Sequence, residues 1–347
     1  MEEVKSTVSY DGLDEKQKRI INQLKMLMKG VSLKDYDKDG KPFVCTMLDV
    51  FNNEYTADLM CNPDGNVYVD KLGTGMYHIG KIGPNIVRSI INNVAGFHDF
   101  FCTEKQPICE GEFPVDNSRF EGIIPSISEN PSFVLRKKAT RIFTLDDYVK
   151  SGIITPRQRE ILSQATINKK NLLIVGGTGS GKTTLINAII KELEVKCNRE
   201  RILIIEDTGE IQCASPNKVQ LHTVPTANIS MTTLLKVALR YRPDRILVGE
   251  VRGPEALDLL DAWNTGHSGG MATLHANSAL SALDRLKGLI TRNEYAPKEI
   301  EKIIGETVNY VINIQRSDTE AGRTLKDIVQ INYYDEKTHT YKYEFVR

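Results

Sequence analysis

"LLIVGGTGSGKTTLINAII", residues 172–190, spells a strand, a loop and a helix in succession. Leu172 to Val175 form an unbroken apolar run, the pattern of a strand buried on both faces. Gly176, Gly177, Gly179 and Gly181 follow among small polar residues, and then Ile186, Ile189, Ile190 and Leu193 recur on one helical face. Gly176, Gly181, Lys182 and Thr183 satisfy G-x-x-x-x-G-K-[ST]. Glycines alone would mark an ordinary bend. Between this strand and this helix they make a phosphate cradle, because they let successive backbone N–H groups converge on phosphate oxygens. The helix N-terminus adds a partial positive charge. Gly177, Thr178, Gly179, Ser180, Gly181, Lys182, Thr183 and Thr184 are therefore the expected nucleotide-binding residues. Lys182 reaches the β- and γ-phosphates, and the Thr183 hydroxyl takes a magnesium position.

The surrounding chain repeats this alternation. The apolar runs RILII, RILVGE and MATL are separated by the amphipathic stretches MTTLLKVALRY and PEALDLLDAW, which predicts βαβ units and a parallel sheet. Such sheets place ligands at the C-terminal ends of their strands. Glu250 ends RILVGE and is expected to meet magnesium through water. Glu206, Asp207 and Glu210 end RILIIEDTGEIQ, and one of them is placed to polarise an attacking water. His267 and His275 lie in TGHSGGMATLHANS, residues 265–278. Metal chelation asks for H-x-x-x-H on one helix or for neighbouring Cys and Asp, and neither is present. His275 ends a strand on the ligand rim and suits a hydrogen bond to a γ-phosphate. His267 follows a helix and suits a turn or a subunit contact.

The chain has 347 residues, which points to about two domains. We place a smaller N-terminal α/β domain at 1–138 and the P-loop domain at 139–347. The first opens with an amphipathic helix over 13–29, whose basic face is a solvated surface or a peripheral membrane contact. Strands are expected at VSLKD, PFVCTMLDVF, NVYVDKL and SFVLRKK, with a helix at PNIVRSIINNVAGF. "DYDKDGKPFVCT", residues 35–46, imitates a calcium loop but ends in Thr46 where a bidentate carboxylate belongs, so it reads as a turn. In the second domain, TPRQREIL begins a helix capped by Thr155, and the tail LKDIVQINYYDEKTHTYKYEFV is a hairpin turning at DEKT. The six cysteines form no CxxC pair and read as reduced, mostly buried thiols. Forty-five basic residues balance forty-five acidic ones, so no global field draws the chain to nucleic acid, and no sequence-specific nucleic-acid contact is expected. The N-terminus lacks a secretory pattern and no apolar run reaches membrane-spanning length, so a cytosolic protein is expected.

GGTGSGKTT, IIEDTGE, ILVGEVRG and TGHSGGMATLHANS, in this order, resemble the P-loop, acidic box, Walker B strand and histidine box of the secretion-superfamily ATPases. The resemblance spans at least residues 119–290. Residues 239–278 look most like the conjugal-transfer, TrbB-type branch. Tad-pilus ATPases are near neighbours, and a Tad or type IV pilus assembly or retraction motor is the alternative function. The tetracysteine zinc insert typical of type II secretion and pilus-extension members is missing. The resemblance implies a RecA-like C-terminal domain and a smaller N-terminal domain. It implies a homohexameric ring hydrolysing ATP with magnesium at the cytoplasmic face of the inner membrane, beside membrane-embedded channel or coupling proteins. It assigns Glu210 as the base, Glu250 to magnesium and water, and His275 as γ-phosphate sensor. It makes Arg119 and Arg136 arginine fingers, with Arg141 an alternative to Arg136.

Overall fold

The computed structural model describes residues 12–37, 39–71, 74–137, 142–224, 227–319 and 321–346. The chain splits into two compact units, Met1–Arg141 and Ile142–Arg347. The boundary expected at 138/139 falls outside the described residues.

In the first unit, helix α1 (Glu15–Lys29) starts where the Asp14 side chain accepts the Gln17 N–H at 2.7 Å. Its apolar face buries Ile20, Ile21, Leu24 and Met28. Strands β1 (Ser32–Tyr36) and β2 (Pro42–Thr46) form an antiparallel hairpin, and the expected Asp/Gly turn falls between Tyr36 and Pro42. Asp37 accepts the N–H groups of Asp39 and Lys41 at 2.9 and 2.8 Å, while the buried Asp35 pairs with Lys71 at 2.5 Å. PFVCTMLDVF is not one strand. It breaks at Thr46, where a capping box with Asp49 opens helix α2 (Met47–Asn52). That box satisfies orphan helix donors and outweighs the apolar run.

Helix α3 (Pro84–Phe97) packs on α1. A six-stranded antiparallel sheet completes the unit, in the order β5-β4-β3-β8-β7-β6. Its strands are β3 (Thr56–Cys61), β4 (Asn66–Lys71), β5 (Gly75–Lys81), β6 (Ile108–Glu112), β7 (Arg119–Ile123) and β8 (Ser132–Arg136).

The second unit opens with helices α4 (Leu145–Lys150) and α5 (Pro156–Ile167), the latter capped by Thr155 as expected. Strand β9 (Leu172–Gly176) and helix α6 (Lys182–Lys196) flank the P-loop. Then come β10 (Ile202–Glu206), β11 (Lys218–His222), helix α7 (Met231–Ala238), β12 (Arg245–Val251), helix α8 (Glu255–Asn264) and β13 (Met271–His275). Helices α9 (Ala279–Ile290) and α10 (Ile300–Thr307) lead to β14 (Tyr310–Arg316), β15 (Arg323–Asp335) and β16 (Thr340–Phe345). The sheet order is β11-β10-β12-β13-β9-β14-β15-β16. It is parallel from β11 through β14 and antiparallel at the terminal hairpin.

Parallel strands need cover on both faces, and the sequence supplies it. Ile174, Ile204 and Leu247 face Ile186, Ile189 and Leu193 of α6 on one side. Leu173, Val248 and Ala272 face Leu259, Leu260 and Leu286 of α8 and α9 on the other. Neither β11 nor β14 is foreshadowed in the sequence. The first is short and polar, and the second is a parallel neighbour of β9 from far along the chain. Arg245, expected only as a strand opening, is fully buried and paired with Glu200.

Candidate functional site

The P-loop begins at the C-terminal end of β9. Gly179 and Gly181 take φ of 68° and 98°, left-handed conformations that glycine adopts freely. Helix α6 then starts at Lys182 with no side-chain cap, so its first N–H groups are left for a ligand. Ser180 is buried, and its hydroxyl has no hydrogen-bond partner among the described residues.

Lys182 is buried among acceptors. Its ammonium donates to the carbonyls of Gly176 and Gly177 at 3.0 and 2.9 Å and lies 3.3 Å from His275 Nδ1. Burial pulls its pKa below the ordinary lysine value, and Glu250 and Glu210 partly restore it. His275 is paired with Gly176 in the β13–β9 register, which brings it to the loop. Its Nε2 lies 3.0 Å from Glu250 Oε1. A neutral imidazole with its proton on Nε2 meets both neighbours, donating to Glu250 and accepting from Lys182. Its pKa is lowered, first by burial and then by the Lys182 charge, which favours that neutral form.

Glu250 is aimed at this spot by an irregularity in the β12–β13 register between Val248 and Val251. Such bulges re-aim side chains beside active sites. Its other oxygen accepts from Arg252 at 2.6 Å, and Arg252 also lies 3.5 Å from Asp207. The bond to Glu250 raises the Arg252 pKa. Asp207 accepts the Thr223 hydroxyl at 2.9 Å.

Glu210 lies beyond β10. Its Oε2 accepts the Thr183 hydroxyl at 3.2 Å, and its backbone carbonyl accepts from Asn187 of α6 at 3.2 Å. Glu206 is buried, and its Oε2 accepts the N–H groups of Glu210 and Ile211, each at 2.9 Å. Lys182, Thr183, Glu210, Glu250 and His275 thus share one rim.

His267 is elsewhere occupied, with Nδ1 3.2 Å from the Ala262 carbonyl near the end of α8. Arg119 and Arg136 are register partners on β7 and β8 of the first unit. Arg119 lies 3.8 Å from Glu110, and Arg136 donates to Asp58 at 2.9 Å. Arg141 lies outside the described residues.

Sequence reasoning missed three arginines here. Arg252 stands two residues past Glu250, and that spacing was its only signal. Arg316 and Arg323 had none, because the hairpin that carries them is brought to the P-loop by the sheet order. Arg316 donates to the Gly179 carbonyl at 3.3 Å.

A family model described as "Type II/IV secretion system protein" matches residues 105–339. The conjugal transfer protein TrbB of Rhizobium radiobacter is 43% identical over 291 residues, 84% of this chain and 87% of that one. The type IV secretion system protein PtlH of Bordetella pertussis is 30% identical over 312 residues, 80% of this chain and 90% of that one. Among solved structures, the Legionella pneumophila ATPase DotB is similar in fold, with a TM-score of 0.58 at 20% identity over 82% of this chain and 79% of that one. The expected α/β architecture with a RecA-like P-loop unit agrees with this likeness. A family model over most of the chain, joined to a relative of this identity along most of its length, gives one answer: the chain belongs to the type II/IV secretion system protein family and is an ATPase.

Proposed function

We propose that this ATPase powers a conjugative type IV secretion apparatus. It acts as a homohexameric ring at the cytoplasmic face of the inner membrane, engaging membrane-embedded channel or coupling proteins. The observation that carries the reading is the meeting of Thr183, Glu210, Glu250 and His275 around Lys182. The 43% identity to a conjugal transfer protein supports the conjugative branch. Among the described residues, no helix is long and apolar enough to cross a membrane. The membrane contact in this reading is peripheral.

Residues 177–184 hold the phosphates of ATP. Glu210 takes the proton of the attacking water, for which a carboxylate beside Thr183 is placed. His275 donates or accepts at the γ-phosphate and reports its presence. Arg119 and Arg136 act as arginine fingers, and their pairing in one register supports a joint role. The donors on this rim are oxygens, which suits magnesium. Magnesium would be held by the Thr183 hydroxyl, by phosphate and, through water, by Glu250. When bound, it neutralises phosphate charge.

The test is phosphate release by the purified protein and by Lys182→Ala, joined to a mating assay in a deletion strain. Loss of both hydrolysis and DNA transfer is expected. Wild-type transfer with Lys182→Ala would remove the motor assignment.

A further inference from the structure

Arg316 and Arg323 face each other at the turn end of the β14–β15 hairpin, as register partners. Like charges placed directly opposite on a sheet repel. Both also press on the P-loop. Arg316 donates to the Gly179 carbonyl at 3.3 Å, and a side chain at Gly179 would run into its guanidinium. A side chain at Gly181 would likewise strike the Arg323 guanidinium. The loop already carries Lys182 and the positive end of α6.

Three other arginines near this sheet are neutralised. Arg245 pairs with Glu200, Arg252 with Glu250, and Arg159 with Asp146. Among the described residues, no carboxylate pairs with Arg316 or Arg323. These two arginines, set beside Lys182 and a helix N-terminus, concentrate positive charge on this side of the loop, and an anion relieves that repulsion. The unpartnered, buried Ser180 hydroxyl belongs to the same loop.

The sheet order says which part of the ligand these arginines address. Glu210, Glu250 and His275 follow or lie on β10, β12 and β13, all on one side of β9. The β14–β15 hairpin lies on the other side. The phosphate that is cleaved belongs with the carboxylates and the histidine. We propose that Arg316 and Arg323 form a second arm of the nucleotide site, which grips the diphosphate common to ATP and ADP. This rests on the nucleotide-binding reading of the P-loop. The arm differs from an arginine finger, because it acts equally on substrate and product.

The test is the affinity of the full-length protein for ADP and for a non-hydrolysable ATP analogue, measured by calorimetry. Arg316→Gln and Arg323→Gln are each expected to weaken both ligands about tenfold, in equal proportion, as loss of a charge-assisted contact does. Arg316→Lys and Arg323→Lys keep the charge and are expected to recover most of the affinity. Because Arg316 also braces Gly179, Arg323→Gln serves as the second variant should Arg316→Gln unfold. ADP affinity within twofold of wild type in both Gln variants overturns the proposal. So does a loss confined to the ATP analogue, or an equal loss in Lys and Gln variants. If folded wild-type protein binds no ADP, the nucleotide reading itself fails. If only Lys182→Ala loses ADP, that reading stands and the arm does not.

Discussion

Glu206 holds Glu210 by its backbone, accepting the Glu210 N–H at 2.9 Å while buried within the sheet. The Ile211 N–H converges on the same oxygen. The proposed base is thus carried on a loop whose backbone is tied to a buried carboxylate. Glu206→Ala should release that loop and lower kcat about tenfold, while ADP affinity stays within twofold. Glu206→Gln keeps an acceptor oxygen and should recover most of the rate. Equal loss in both variants would point to the charge of Glu206 rather than to its hold on Glu210.

Glu210→Gln keeps the acceptor for the Thr183 hydroxyl but removes the proton acceptor. Phosphate release should fall about 100-fold or more, the usual weight of a general base. ATP should still bind, as followed by a fluorescent nucleotide. A rate within a few-fold of wild type would move the base elsewhere on the rim.

His275 should titrate below the ordinary histidine value of 6.5, because burial and the Lys182 charge both oppose protonation. Glu250 works the other way, so Glu250→Gln should lower the midpoint further, and Lys182→Ala should raise it. Histidine NMR titration reads all three. The sign for stability follows from linkage. The unfolded chain takes up this proton first as pH falls. The stabilising contribution of His275 is therefore complete above its unfolded pKa and is lost as pH falls through the folded one. A midpoint above 6.5 would contradict the placement of His275 beside the Lys182 ammonium.

Arg245 is fully buried and depends on Glu200, which also pairs with Lys169 at 3.2 Å. Glu200→Ala leaves that guanidinium without its carboxylate. Breaking one side of a buried pair typically costs about 3 kcal/mol. Urea unfolding should show a loss of that order, and a loss under about 0.5 kcal/mol would mean the pair is bypassed by solvent or by Gly269.

Arg119 and Arg136 should each matter to turnover if they act as fingers, whose loss costs roughly 10³-fold or more. Mixing Arg136→Ala with Lys182→Ala protein tells whether the contact is made within a subunit or across two. Recovered hydrolysis in the mixture requires the second. Full activity in both arginine variants would remove the finger role.

Most of the P-loop unit was legible in the sequence, because its signals are local. Glycine spacing, the apolar runs of β9, β10, β12 and β13, and the Thr155 cap each lie within a few residues of what they decide. Glu250 and His275 could be placed at strand ends on one rim, but the contact between them was not read from the sequence. What stayed hidden depends on distant pairing. Strand β14 joins β9 from more than a hundred residues away, and no local pattern announces that neighbour. Arg316 and Arg323 came with it. In the first unit, Thr46 split an apparent strand because its side-chain cap outweighs the apolar periodicity.

The chain's one tryptophan, Trp263, donates its indole N–H to the Ile246 carbonyl at 3.1 Å and fills the space over Gly270. Ile246 lies near the start of β12, and Gly270 just precedes β13, so the indole sits at the end of the sheet away from the P-loop. Nature has thereby installed a single optical probe at the far end of the strands that carry Glu250 and His275. An emission change on adding ADP would show that occupancy is felt along the whole length of those strands. A silent tryptophan would confine the response to the rim.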